Sequence, residues 1–180
     1  MPTPVGHSLA GLGLYLLFNR NYNFLKDLKG FIPFFIAATA ADLDFIPGLL
    51  IGEANRYHHG ITHSMGASLI AAFIFSLLFR LNYGFWKRIV IFSLLFLSHI
   101  FLDYFSMDTS FPYGVPLFWP LSERYYLSVI PVFIDIQRGN MGLLFSLHNW
   151  MAAFREVLVV GPFAAFLFIY RIWSKPTESA

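Results

Sequence analysis

The chain contains no cysteine and carries little charge: 12% of its 180 residues are Asp, Glu, Lys or Arg. The first absence excludes disulfides and thiolate ligands, so any bound metal must be held by nitrogen and oxygen. The second is about half the roughly 25% usual in soluble domains and leaves too little polar surface to cover a water-soluble sphere. Basic residues are also missing ahead of the first apolar stretch, MPTPVGHSLAGLGLYLLF, and Arg20 follows it instead. That is not the charge order of a signal peptide. With a net charge of +2 and no basic patch interleaved with aromatics, nucleic acid is not an expected partner. No internal repeat divides the chain, and a single domain is expected over residues 1–175, with a disordered tail at 176–180.

What is abundant is apolar: 57% of the residues are hydrophobic, including 22 Phe. Apolar stretches run over 5–18, 31–52, 64–79, 89–105 and 157–173. Spans of about 16 or 17 residues reach roughly 25 Å at 1.5 Å per residue, the short end for a bilayer helix; the first is shorter still, and the second is long enough. The second carries Asp42 and Asp44, so a helix is expected to about residue 41, a break near Asp42–Pro47, and an interfacial piece through Ile51. Residues 141–155 read as a surface helix before the last span. The expected architecture is an all-α integral membrane bundle of about five spanning or partly spanning helices, with the bilayer as partner and a long extracytoplasmic loop at 106–156. Trp119, Tyr125 and Tyr126 in that loop suit an interfacial belt.

If the helices alternate in direction, Arg20, Lys26, Lys29, Arg80, Lys87, Arg88, Arg171 and Lys175 share one side. Arg56, Arg124, Arg138 and Arg155 share the other. The positive-inside rule then puts the N-terminus outside and the C-terminus in the cytoplasm. The same alternation brings His7, Asp42, Asp44, His58, His59, His63, His99 and Asp103 to the outer face, from four separate segments.

Three motifs carry the chemistry. In Ser98-His99-Ile-Phe-Leu-Asp103, His and Asp four apart stack on one helix face and can meet one ion, or one can ligate while the other orients it. Ionisable groups inside an apolar helix cost at least roughly 2.5 kcal/mol for Asp, so something must offset them. The plain alternative is a His–Asp hydrogen bond between helices. In His58-His59-Gly60-Ile61-Thr62-His63-Ser64, His59 and His63 share that spacing if the helix has begun, with Thr62 as N-cap; alternatively Gly60 marks a turn and His58 and His63 converge. A polar helix mouth among headgroups would look the same. In Ala41-Asp42-Leu43-Asp44-Phe45-Ile46-Pro47, two carboxylates suit a multi-metal site, although a helix end before Pro is also an ordinary turn. His7 stands alone at the outer end of the first helix, and His148 is left out. Nitrogen and oxygen ligands without sulfur suit Zn²⁺, Mn²⁺ or Fe²⁺, and the number of candidates exceeds one tetrahedral shell, so two or three ions are expected. Such a site performs metal-assisted hydrolysis, most naturally of a phosphoester. A serine triad on Ser64 or Ser98 ranks low because neither sits in a nucleophile-elbow pattern.

In order, His7-Ser-Leu-Ala-Gly, Ala41-Asp-Leu-Asp-Phe-Ile-Pro, His58-His-Gly-Ile-Thr-His-Ser, Ser98-His-Ile-Phe-Leu-Asp and Gly114-Val-Pro-Leu-Phe-Trp-Pro resemble the YdjM-like family of bacterial and archaeal inner-membrane proteins. The resemblance covers about residues 6–121, and that family is described as metal-dependent hydrolases. It is distantly similar to zinc-dependent phospholipase C and the zinc-dependent single-strand nucleases, whose three-zinc site includes a His-x-x-x-Asp helix. The resemblance implies His99 and Asp103 as metal ligands. It implies that His7, Asp42, His59 and His63 complete the set, with Asp44 and His58 touching the ions or holding the residues that do. His58 stands where the pattern leads one to expect Arg. The leading expectation is a hydrolase of a lipid or lipid-linked phosphoester, with Asp42 or Asp103 as general base and Phe118 and Trp119 lining the lipid entrance. Its rivals are a metal or proton transporter, which the apolar inner halves of the helices count against, and a metal-stabilised structural or regulatory membrane protein without turnover. Oligomeric state is not legible.

Overall fold

The computed structural model describes residues 1–19, 28–53, 56–109, 111–137 and 141–174. Arg20, Lys26, Arg138, Lys175 and the expected tail at 176–180 lie outside the described residues. The helices are α1 (Pro4–Phe18), α2 (Leu28–Thr39), α3 (Phe45–Leu50), α4 (Met65–Leu78), α5 (Phe85–Tyr104), α6 (Met141–Leu144) and α7 (Leu147–Trp173), with 3-10 turns at Ala40–Asp44 and Ile61–His63. Five of these are substantial, and no strand longer than an isolated bridge occurs among the described residues. The all-α expectation holds.

Three segments are long and apolar enough to cross a membrane: Leu28–Gly48, Phe85–Tyr104 and Gly142–Trp173. α1 and α4, with 15 and 14 residues, are apolar but shorter. Leu69, Ile70, Phe73, Leu77 and Leu78 on α4, and Leu158, Phe163, Phe166 and Ile169 on α7, face outward. Such faces suit hydrocarbon and not water.

α1, α2 and α5 pack against one another, α7 lies along α1, and α4 lies along α5. Close approach of α1 to α2 requires Gly11, where a Cβ would stand 2.9 Å from the Ala38 Cβ. Small residues at a helix crossing are the usual means of association in lipid, where burial of apolar surface drives little. Successive helices run in opposite directions. Tyr83 Oη donates to the Phe18 carbonyl (2.8 Å), and Arg171 Nε and Nη2 donate to the carbonyls of Leu16 (2.9 Å) and Leu17 (2.8 Å), so the far ends of α1, α4 and α7 meet. At that end the core is dry: Leu16, Phe34, Phe92, Leu95 and Ile91 are fully buried.

The expected surface helix at 141–155 and span at 157–173 are one helix, α7, with the four-residue α6 just before it. Arg155-Glu156 interrupts the apolar pattern but not the helix, because the fully buried Glu156 carboxylate accepts hydrogen bonds from Thr3 N (2.6 Å), Thr3 Oγ1 (2.5 Å) and Gly6 N (2.8 Å). Those amides belong to the first turn of α1, whose positive dipole end favours an anion. Thr62 is likewise not the N-cap of α4; Ser64 is, accepting from Ala67 N at 3.1 Å.

The loop 105–137 folds back over the site end. Ser106 bridges to Phe133 and Val115 to Tyr126. Met65 N and Gly66 N at the start of α4 donate to the carbonyls of Leu117 (2.9 Å) and Trp119 (3.1 Å), which satisfies amides that a helix cannot bond internally.

Candidate metal centre

Four segments deliver imidazoles and carboxylates to the end of the bundle opposite Tyr83 and Arg171. α1 supplies His7, the turn after α2 supplies Asp42 and Asp44, the link between α3 and α4 supplies His58, His59 and His63, and α5 supplies His99 and Asp103. The side chains of His7, His63, His99 and Asp103 have no exposure. Asp42 alone in this group stands at 20%.

The protonation pattern follows from the orienting contacts. His99 Nδ1 donates to the Ala38 carbonyl near the end of α2, at 2.8 Å, so in a neutral ring Nε2 carries a lone pair. That lone pair faces Asp103 Oδ2 at 3.0 Å, His63 Nε2 at 3.3 Å and Asp42 Oδ1 at 3.5 Å. His63 is arranged the same way. Its Nδ1 lies 3.1 Å from Asp44 Oδ2, which leaves Nε2 turned toward Asp103 Oδ2 (3.4 Å) and Asp42 Oδ1 (3.7 Å). With both rings neutral, acceptors face acceptors in a buried space, an arrangement that repels unless a proton or a metal cation stands among them. Two ligand atoms on one tetrahedral ion lie about 3.3–3.5 Å apart, which is the separation found here.

The unpaired atoms agree. Of eight buried side-chain nitrogens and oxygens without a hydrogen bond among the described residues, six are in this cluster: both ring nitrogens of His7, Asp42 Oδ1, His59 Nε2 and both Asp103 oxygens. Buried polar groups are ordinarily paired, so orphans concentrated in one place call for a partner. Three sets of residues could each hold one ion: His7, His99 and Asp103; Asp42, His63 and His99; and His58, His59 and His63. His7 stacks on His99 with ring centroids 3.7 Å apart, and its Nε2 is 3.7 Å from Asp103 Oδ1.

Asp44 stands one step outside. Its Oδ1 lies 2.9 Å from His58 Nδ1, and its Oδ2 accepts from Thr62 Oγ1 at 2.7 Å as well as facing His63. His58 Nε2 points at the Met1 thioether. Gly60 does mark a turn, and α4 starts only at Met65, so the three histidines of 58–63 converge from a link and not along a helix face. His59 adopts φ 58°, a left-handed backbone uncommon for a residue with a Cβ, of the kind that persists at binding sites when surroundings enforce it. One enforcing partner is Asp108, whose Oδ2 is 3.0 Å from His59 Nδ1 and accepts from Gly114 N at 2.8 Å.

Sequence reasoning missed Asp108 and Glu156. An acid opening a Pro- and Gly-rich loop, and an acid midway along an apolar helix, were the available cues. His148, which the sequence reading left out, lies apart beside Asp135 at 3.2 Å.

The electrostatics of two link residues run in opposite directions. Burial is the largest influence on His63 and pushes its pKa down, yet the contacts with Asp42 and Asp44 and the nearby Asp103 outweigh it and raise the value to about 9. In His58 burial wins over Asp44 and lowers the value to about 4.

The model of the YdjM inner membrane protein family matches residues 1–176. The chain belongs to that family. The match spans nearly the whole chain and so extends well beyond the stretch of 6–121 in which the motifs lie. No curated protein and no solved structure matches it. The family description makes this an inner membrane protein, and its buried His/Asp groups could hold metal ions.

Beside Asp42 opens a cavity of about 430 Å³ between the start of α1, α3 and the start of α7. Phe45, Leu144, Phe145 and Trp150 are in its wall. Phe118 and Trp119, expected at the lipid entrance, are not; they belong to the loop that caps α4.

Proposed function

We propose that this protein is a membrane-embedded metal-dependent hydrolase that cleaves a phosphoester of a lipid or lipid-linked substrate with metal-activated water. The observation that carries the reading is the lone pair of His99 Nε2 turned onto Asp103, His63 and Asp42 at 3.0–3.5 Å, in a buried cluster rich in unpaired acceptors. His7, Asp42, His58, His59, His63, His99 and Asp103 would hold two or three divalent ions, Zn²⁺ foremost, with Mn²⁺ or Fe²⁺ as alternatives for the same donor set. Asp44 and Asp108 would turn the ring nitrogens, in the manner of carboxylates behind metal-bound histidines.

Divalent ions in such a site activate water near neutral pH and offset charge on a phosphoryl group. The chain's own part is positional. Asp42, half ligand and half wall of the cavity, receives the proton as water's oxygen bonds to phosphorus, and returns it to the leaving alcohol's oxygen as the ester P–O bond breaks. Asp103, wholly enclosed, holds His99 and His7 in register. The loop at 105–137 and the dry core beneath keep bulk water out. That core, with Leu16, Phe34, Phe92 and Leu95 closed below His99, counts against an ion pathway to the far end.

The described basic residues at the far end are Lys29, Arg80, Lys87, Arg88 and Arg171, against Arg56, Arg124 and Arg155 at the site end. By the positive-inside rule the site faces the extracytoplasmic side, with the N-terminus outside and the C-terminus in the cytoplasm. Because the chain lacks cysteine, Glu123→Cys and Asn82→Cys test this directly. A membrane-impermeant maleimide applied to spheroplasts should label the first and spare the second; the reverse pattern would invert the topology.

The central test is elemental analysis of gently purified wild type, His99→Ala and Asp42→Ala, followed by a phosphoesterase screen over lipid substrates. Stoichiometric metal in wild type, lost with His99→Ala, together with metal-dependent cleavage, is expected. Absence of metal from wild type ends the reading. Metal without turnover across the panel favours instead a metal-clamped structural or regulatory membrane protein.

A further inference from the structure

We infer that the cavity beside Asp42 seats one hydrocarbon chain of the substrate, taken sideways from the bilayer between α1 and α7, with its phosphoester arriving at Asp42. The inference rests on the hydrolase reading and names the part of the substrate that the protein recognises.

Three observations support it. First, the only cluster side chain in the wall is Asp42, which is also the cluster's most exposed member, at 20%, so the route from outside to the buried groups runs through this cavity. Second, the wall is apolar: Val5, Phe45, Leu144, Phe145 and Trp150 surround the space. The polar side chains that also border it are spoken for. Thr3 is bonded to Glu156, and Asn149 exchanges hydrogen bonds with the Gln137 backbone (2.8 and 2.9 Å). Asp42, by contrast, borders the space with the exposed part of its side chain, while its buried Oδ1 faces His99 and His63 and has no hydrogen bond. A ligand matching this wall is therefore apolar along its length and polar at one end. Third, the lip is continuous with the lipid-facing surface. Phe145 and Trp150 are largely exposed, as are Leu147, Met151 and Phe154 next to them, all within the candidate span Gly142–Trp173. In a bilayer these residues meet acyl chains, so a tail can slide in without crossing water. A volume of about 430 Å³ sits at the lower end of ligand cavities, which suits a single chain and not a whole diacyl lipid.

Two measurements test this on the full-length, metal-loaded protein in detergent micelles. A long-chain alkyl phosphate bearing a diazirine near the tail end is photolysed with the protein, and adducts are mapped by mass spectrometry. Labels should fall on residues 144–153 and on Phe45, and Ala153→Trp, which fills the space, should reduce them at least tenfold. Labels spread over the outer faces of α4 and α5, or unchanged by the substitution, overturn the inference. In parallel, cleavage of a long-chain alkyl nitrophenyl phosphate is compared with that of its methyl analogue. The long-to-methyl ratio of kcat/KM should fall about tenfold or more in Ala153→Trp. It should also fall in Trp150→Ala, whose exposed position makes misfolding a poor explanation. Equal loss on both esters overturns the inference. If neither ester is cleaved by wild type while the labels still fall in the cavity, the hydrolase reading fails and the chain-binding site stands.

Discussion

The two ends of the bundle are built from the same helices and obey opposite rules. At the far end, Leu16, Phe34, Ile91, Phe92 and Leu95 pack in an apolar cluster that also includes Tyr15. One to three turns further along α1 and α5, His7, His99 and Asp103 are just as deeply buried, yet both His7 nitrogens and both Asp103 oxygens lack a hydrogen bond and His99 Nε2 faces Asp103. The far end is stabilised by packing, and two unpaired buried atoms, Arg88 Nε and Ser93 Oγ, lie on its part of α5. The polar end holds six of the eight unpaired buried side-chain atoms among the described residues. Burial alone does not separate the two ends; the concentration of unpaired polar atoms does.

The comparison can be broken most severely at the polar end. His99→Ala removes a member of two of the three candidate ion sets, and metal affinity should fall beyond about a hundredfold, read by competition with a chelating dye. At the dry end, Phe92→Ala should destabilise the fold by about 3–4 kcal/mol in a denaturant titration while leaving metal stoichiometry intact. Loss of metal there would show that the two ends are not independent. Glu156→Ala links them: it leaves the first-turn amides of α1 unpaired and should cost about 2–3 kcal/mol. Since the same turn carries His7, metal affinity should drop as well, roughly tenfold. Arg171→Ala, which frees only the carbonyls at the other terminus of α1, should cost about 1 kcal/mol and leave metal binding unchanged.

The smallest effect is the pH dependence of metal-stripped protein. His63 is held at about 9 in the fold, above its ordinary value of 6.5, so its contribution to stability is complete below about pH 6.5 and disappears as pH rises through 9. His58, lowered to about 4, contributes in the other direction, with stability present above 6.5 and lost toward pH 4. Loading with metal should remove the alkaline loss, because an ion replaces the His63 proton, and the displaced proton is measurable in weakly buffered solution.

Much of this was legible in the chain. Hydropathy gave five apolar helices, and the assumption that they alternate in direction brought the His and Asp motifs to one end. The four-residue step from His99 to Asp103 needed only helical geometry. The sequence failed where a distant partner changes the local rule. Arg155-Glu156 looks like the end of a span until Thr3 and Gly6 supply the amides that let α7 continue. Thr62 looks like a helix cap until Asp44 claims its hydroxyl and Ser64 takes over.

By itself, then, the amino-acid order determined a helical membrane protein with a polar cluster near one surface, because hydropathy and helical period are local properties. Tertiary structure alone decided which imidazole nitrogen is free, that Asp44 and Asp108 orient histidines, and that an apolar chamber opens beside Asp42. Those depend on atoms tens of residues apart meeting within a few ångströms, and no local pattern encodes such meetings.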